Sequence, residues 1–290
     1  MTVALRVATA LLLTAGSAAA ASPPRSGIRS WAPPTPAFQA GAEIHATADH
    51  LDGDFAHQRI LLTGNVTLVS ADEQIQAARL AVTLEPKGRR IETLDAQDNV
   101  RLVYGPYTAT GDRVRFDTAA QHAQLLGHAR IWGEAREVSG DTIDVDLARR
   151  VVKVTAGRVQ LPPDGTLPAL RVIADTIVAD DVAGRADLTG HVEVVSGIRH
   201  LWASNAAVEL DPQTGALKRL SAGGGVRVEE GDRHGTADRG VYDLVKRTLV
   251  LEGNADLTEG VSRLRGEQIR VNLTTRQVEV ERGTIQYRQE

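Results

Sequence analysis

The chain has no cysteine. That excludes disulfides, thiolate metal sites and a lipid anchor on an N-terminal cysteine. Aromatic residues are only 3% of the sequence. A core must therefore be built from Val, Leu, Ile and Ala, and aromatic platforms of the kind that hold sugars are scarce. Charge of either sign is not in excess: 37 acidic residues face 33 basic ones, for a net of −4. Such a balance offers no electrostatic footprint for nucleic acid. Beyond residue 21 there is no long apolar run, and no segment carries a convincing stripe at 3.6-residue spacing, so helices are not expected.

Residues 1–21 have the form of a signal peptide. Arg6 supplies a weak positive start, Val7 to Ala15 is a short apolar run, and Ala18-Ala19-Ala20-Ala21 offers small residues for cleavage. The run is too short to span a bilayer. Residues 22–43 form a Pro-rich tether carrying Pro23, Pro24, Pro33, Pro34 and Pro36. Export to the periplasm by a cleavable signal is the expectation.

What is abundant is repetition. Leu62-Thr63-Gly64-Asn65-Val66 returns as Leu125-Leu126-Gly127-His128-Ala129, as Leu188-Thr189-Gly190-His191-Val192 and as Leu251-Glu252-Gly253-Asn254-Ala255, each time after 63 residues. Asp49, Asp112, Asp175 and Asp238 form one identical column, and Asp54, Asp117, Asp180 and Asp243 another. Similarity is stronger at a step of 126, where Leu94 and Ala96 return as Leu220 and Ala222. The chain therefore reads as two domains, 44–169 and 170–290, each of two related halves. Repetition of this kind implies a stacked, quasi-one-dimensional fold.

Within each unit apolar residues alternate with polar ones, the mark of half-buried strands. Parity shifts at two columns of small residues, Ala48/Gly111/Ala174/Ala237 and Ala77/Gly140/Ala203/Gly266. A small residue at a parity shift predicts a bulge or bend that carries a strand from one sheet to a facing one while its apolar side stays inward. The fold class expected is all-β: two facing antiparallel sheets around an apolar interior. The inward columns would line a trough: Leu62, Val66, Leu68, Val82, Leu84, Leu125, Ile131, Val145, Leu147, Leu188, Val194, Val208, Leu210, Leu251, Leu257, Val271 and Leu273. Asp52–Asp54, Pro86-Lys87-Gly88 and Asp211–Gly215 read as turns.

Catalytic chemistry finds little support. No Ser/His/Asp set recurs, and Gly223-Gly224-Gly225 leads into a strand pattern rather than a helix, so it is no phosphate loop. His45, His50 and His57 straddle a proposed bend, and solvated loop histidines are the default over zinc. The two Asp columns fit hydrogen bonding at turns and bulges better than calcium. No catalytic residue, metal site or cofactor is expected. A polysaccharide-active β-helix enzyme would show short regular rungs, which a 63-residue unit argues against. A structural solenoid with a filled core is the remaining alternative.

The ordered set of columns resembles the LptA/OstA-like family of periplasmic lipopolysaccharide-transport proteins. The residues that carry it are Ala48-Asp49, Leu62 to Val66, Gln76-Ala77 before Leu80-Ala81-Val82, Asp98-Asn99-Val100, Leu125 to Ala129 and Val138 to Asp141. The resemblance spans roughly 44–155 and again 170–281. It implies an elongated open β-jellyroll that holds lipopolysaccharide by its lipid A acyl chains between the sheets. It further implies inner- and outer-membrane transport components with similar jellyroll edges as partners, and head-to-tail self-assembly. The family pattern has one copy of the domain where this chain has two.

Overall fold

The computed structural model describes residues 43–70, 73–86, 90–163, 168–210, 217–243, 245–272, 274–275 and 277–287. The expected signal peptide and most of the expected tether lie outside these residues, as do Lys87-Gly88, Asp211–Gly215 and Leu273. Among the described residues there is no helix. They fall into two compact units that divide at residues 159 and 160.

The first unit contains β1 (His45–Thr47), β2 (His50–Asp54), β3 (Arg59–Ser70), β4 (Glu73–Leu84), β5 (Ile91–Tyr104), β6 (Tyr107–Asp117), β7 (His122–Gly133), β8 (Arg136–Asp146) and β9 (Val151–Leu161), which ends at the division. β1 and β2 both pair with β3, and from β3 each strand pairs antiparallel with the next. The second unit contains β10 (Leu170–Asp180), β11 (Arg185–Ser196), β12 (Arg199–Leu210), β13 (Leu217–Glu230), β14 (Arg233–Asp243), β15 (Thr248–Glu259), β16 (Ser262–Asn272), β17 (Val278–Glu281) and β18 (Thr284–Tyr287). It has the same antiparallel order, with β17 and β18 both pairing with β16. Each unit is a continuous hydrogen-bonded ladder.

Every ladder from β3 to β8 and from β10 to β16 is interrupted near mid-strand, and β4–β5 and β12–β13 carry a second shift near one end. Between β3 and β4 the register passes from Thr63↔Arg79 to Val66↔Ala77, so Gly64 and Asn65 oppose Ala78 alone. Between β11 and β12, Gly190 and His191 oppose Ser204 in the same way. Two residues against one is a β-bulge, which bends the strand and adds twist. The expected small-residue columns sit at these bends: Gly111, Ala174 and Ala237 lie within register shifts, as do Ala77 and Ala203. Parity flips there, from Ala77 to Leu80 and from Ala203 to Ala206, and all four of these residues are buried. A single core cluster in the first unit joins Leu68 and Ile75, before the bend, to Leu80, Val82 and Leu94, beyond it. Both halves of each strand therefore turn an apolar face to one interior.

Asp52–Asp54 are the end of β2 rather than a loop, and the turn begins at Phe55. The reason is pairing: Asp52, Gly53 and Asp54 are in register with Leu61, Ile60 and Arg59, and ladder bonds outweigh the weak strand preference of Asp and Gly.

The candidate lipid-binding interior

The corners that shape the interior depend on a clasp repeated in all four 63-residue units. Gly64, Gly127, Gly190 and Gly253 have φ between +70° and +76°, and the next residue, Asn65, His128, His191 or Asn254, is also left-handed. A Cβ on Gly190 would meet the side chain of Asp175, whose own Cβ would stand 2.7 Å away. The paired Asp of each unit fills that space: Asp49 Oδ2 accepts from Asn65 Nδ2 at 2.9 Å, and Asp238 Oδ2 from Asn254 Nδ2 at 3.0 Å. His128 Nδ1 and His191 Nδ1 stand 3.0 and 2.8 Å from Asp112 Oδ2 and Asp175 Oδ2. Gly is needed for the positive φ and for the room, and the second residue must be one that tolerates the left-handed region and reaches the carboxylate.

The other Asp column caps turns. The Oδ1 atoms of Asp54, Asp117, Asp180 and Asp243 accept the backbone N–H three residues on, at 2.7–3.1 Å. Asp146 does the same for Arg149. The Lys246 N–H holds the Asp243 carboxyl below its ordinary range. The three early histidines have separate neighbours: His45 lies near Glu43, His50 bonds the Asp49 carbonyl, and His57 pairs with Asp54.

The outer face is charged. Burial pushes the Asp95 carboxyl up, but hydrogen bonds from Arg113 and Gln97 outweigh it and hold it low. Asp256 is lowered chiefly by Arg263, with Arg265 adding. Arg guanidinium groups also lie over Trp132 and Trp202, 4.7 and 5.0 Å from the ring centres.

Of the residues read as lining, Leu62, Val66, Leu68, Val82, Leu125, Val145, Leu188, Val194, Val208, Leu210 and Leu251 are buried. Leu84, Ile131, Leu147, Leu257 and Val271 are half-buried. The two groups are not scattered. Over β3–β5 and β10–β13 most of the interior is buried, Ser70, Glu73 and Ser196 included, while Ile60, Leu84, Leu102 and Val228 are half-buried. Over β6–β8 the inward Val114, Phe116, Ala123, Ile131 and Leu147 are half-buried, as are Leu249, Leu257, Leu264 and Val271 on β15 and β16. Each unit thus has a closed segment followed by one whose apolar inner face solvent reaches. Val114, Phe116, Leu249 and Leu264 were missed as lining. Val114 marked a parity shift and Phe116 continued it, which was the available signal for those two.

The fold and this lining define a class: repeat proteins whose bent antiparallel sheet wraps an apolar interior. The chain belongs to the family described as LptA/(LptD N-terminal domain) LPS transport protein, whose model matches residues 45–151 and again 171–277. An uncharacterized protein of Rhizobium meliloti (strain 1021) is 24% identical over 155 residues, covering 51% of this chain and 83% of its own. A solved structure with a similar chain is LptH, the LptA homologous periplasmic component of the conserved lipopolysaccharide transport device from Pseudomonas aeruginosa. It is 14% identical with a TM-score of 0.37, over 41% of this chain and 85% of that one.

Proposed function

We propose that this chain is a periplasmic lipopolysaccharide carrier that shields acyl chains against the inner face of two tandem jellyroll domains, 44–169 and 170–290. The observation that carries this reading is the match of a lipopolysaccharide-transport family to both halves of a chain whose inward columns are apolar throughout the bends. An acyl chain leaving water gains about 0.8 kcal/mol per CH₂ buried, so a lined groove needs no catalyst to hold it. The half-buried stretches, Val114 to Leu147 and Leu249 to Val271, are where chains enter first. The sealed stretches admit them only if the walls part. A signal peptide over 1–21 would deliver the chain to the periplasm. Transport components of the inner and outer membrane, or further copies joined head to tail, would extend the path.

Purified chain should bind fluorescent lipopolysaccharide, and Ile131→Asp with Leu257→Asp should weaken that binding at least about tenfold by placing charge where chains lie. Binding that is absent, or indifferent to both changes, would leave a filled structural core as the reading.

A further inference from the structure

The apolar lining of the second unit breaks at one place. Arg199, Glu230, Arg233 and Glu259 stand directly opposite one another on four successive strands, β12 to β15. Each has the inward parity of its strand, in step with Leu201, Val228, Gly235 and Leu257. The row lies at the end of the strand halves farthest from the bend, and so at the mouth of the interior. Arg199 meets Glu230 at 2.6 Å and Arg233 meets Glu259 at 2.5 Å.

Stability alone does not select such a row. Paired charges at partly desolvated positions are commonly replaced by apolar residues at no cost. At a step of 126 the first unit has Glu73, Tyr104, Tyr107 and Gly133 in the row, so neither ion pair recurs there. The chemistry of the row suits hydroxyl groups: carboxylates accept from them and guanidinium groups donate to their oxygens. The Arg233 and Glu259 side chains are open enough to be reached, at 44% and 56% exposure.

We propose that Arg199, Glu230, Arg233 and Glu259 form a saccharide-headgroup site at the mouth of the second unit. It orients an amphiphile whose chains lie against the half-buried apolar face of β15 and β16. This rests on the carrier reading above and adds that the two units are unequal: the second reads the headgroup and the first holds only chains.

Two probes with one dodecyl chain separate the claims. Below their micelle concentrations, dodecyl maltoside carries a disaccharide and dodecyl octa(ethylene glycol) ether does not. The full chain should hold the maltoside about tenfold more tightly than the ether, as one or two hydrogen bonds to charged groups imply. Arg233→Met with Glu259→Gln should reduce that preference to about twofold or less and leave ether binding unchanged. Tyr107→Phe in the first unit should change neither. Equal losses for both probes would mean that the pairs merely hold the groove in shape, and an unaltered preference would mean that the row does not touch sugar. Either result overturns the headgroup site. Failure of the wild-type chain to bind either probe would instead remove the carrier reading beneath it.

Discussion

Replacing the corner glycine Gly190 by Ala tests why the repeat exists. Two costs follow from its surroundings. Its φ of +75° puts an L residue in the left-handed region, a strain of about 1–2 kcal/mol. The new Cβ also meets Asp175, so the carboxylate must leave its place 2.8 Å from His191 Nδ1. Overpacking of that kind costs about 1–3 kcal/mol, and the exposed hydrogen bond adds a fraction of one. The sum is about 2–5 kcal/mol. Gly225 provides the control in the same unit: its φ is +84°, yet nothing lies within 4 Å of a Cβ there. Gly225→Ala should therefore cost only the strain, about 1–2 kcal/mol. Urea unfolding followed by circular dichroism and by Trp202 fluorescence measures both. Equal destabilisation by the two substitutions would refute the clasp, because it would leave φ as the whole cost.

Other outcomes follow from the same geometry. Asp180→Ala should cost about 1 kcal/mol in urea unfolding, because Ala183 N–H loses its 2.7 Å acceptor at a turn. Leu251→Ala, at a position with no exposed surface, should cost about 2–5 kcal/mol and loosen the cluster of Ala255 and Ile269. The Asp256 carboxyl titrates below its unfolded value of 3.8 because Arg263 and Arg265 hold it charged. Its contribution is therefore complete above that value and lost as pH falls through the lower folded one. An Asp256→Asn variant should be less stable than wild type at neutral pH, and the gap should narrow below pH 3.8 in thermal melts.

How much of this was legible in the sequence depends on what the backbone demanded at each place. The column of Gly64, Gly127, Gly190 and Gly253 was visible as a repeat, though not as a corner, because a left-handed pair with a carboxylate beside it accepts few residue types. Related corners occur at Asp98-Asn99, at Ala156, at Gly224-Gly225 and at Arg282, all left-handed as well. They were not read as corners because no single residue type recurs in them. Gly224-Gly225 drew notice only as a discarded phosphate loop, though a step of 126 from Asp98-Asn99 placed it. The difference between sealed and solvent-reached stretches was not legible at all. Leu68 and Leu257 occupy the same column, and only the packing of neighbouring strands buries one and half-exposes the other. The Arg199 to Glu259 row is hidden for a different reason: apolar alternation carries no signal for charged residues in the same phase.

Site-specific photo-crosslinking with lipopolysaccharide tests the central claim most directly. A photoreactive residue at inward, half-buried Ile131 or Leu257 should label with lipopolysaccharide, and one at outward Glu209 should not. Sealed Val208, with no exposed surface, should label later or only under turnover. Equal labelling at Ile131, Leu257 and Glu209, or none at any of them, would contradict a carrier that holds acyl chains inside its bent sheet.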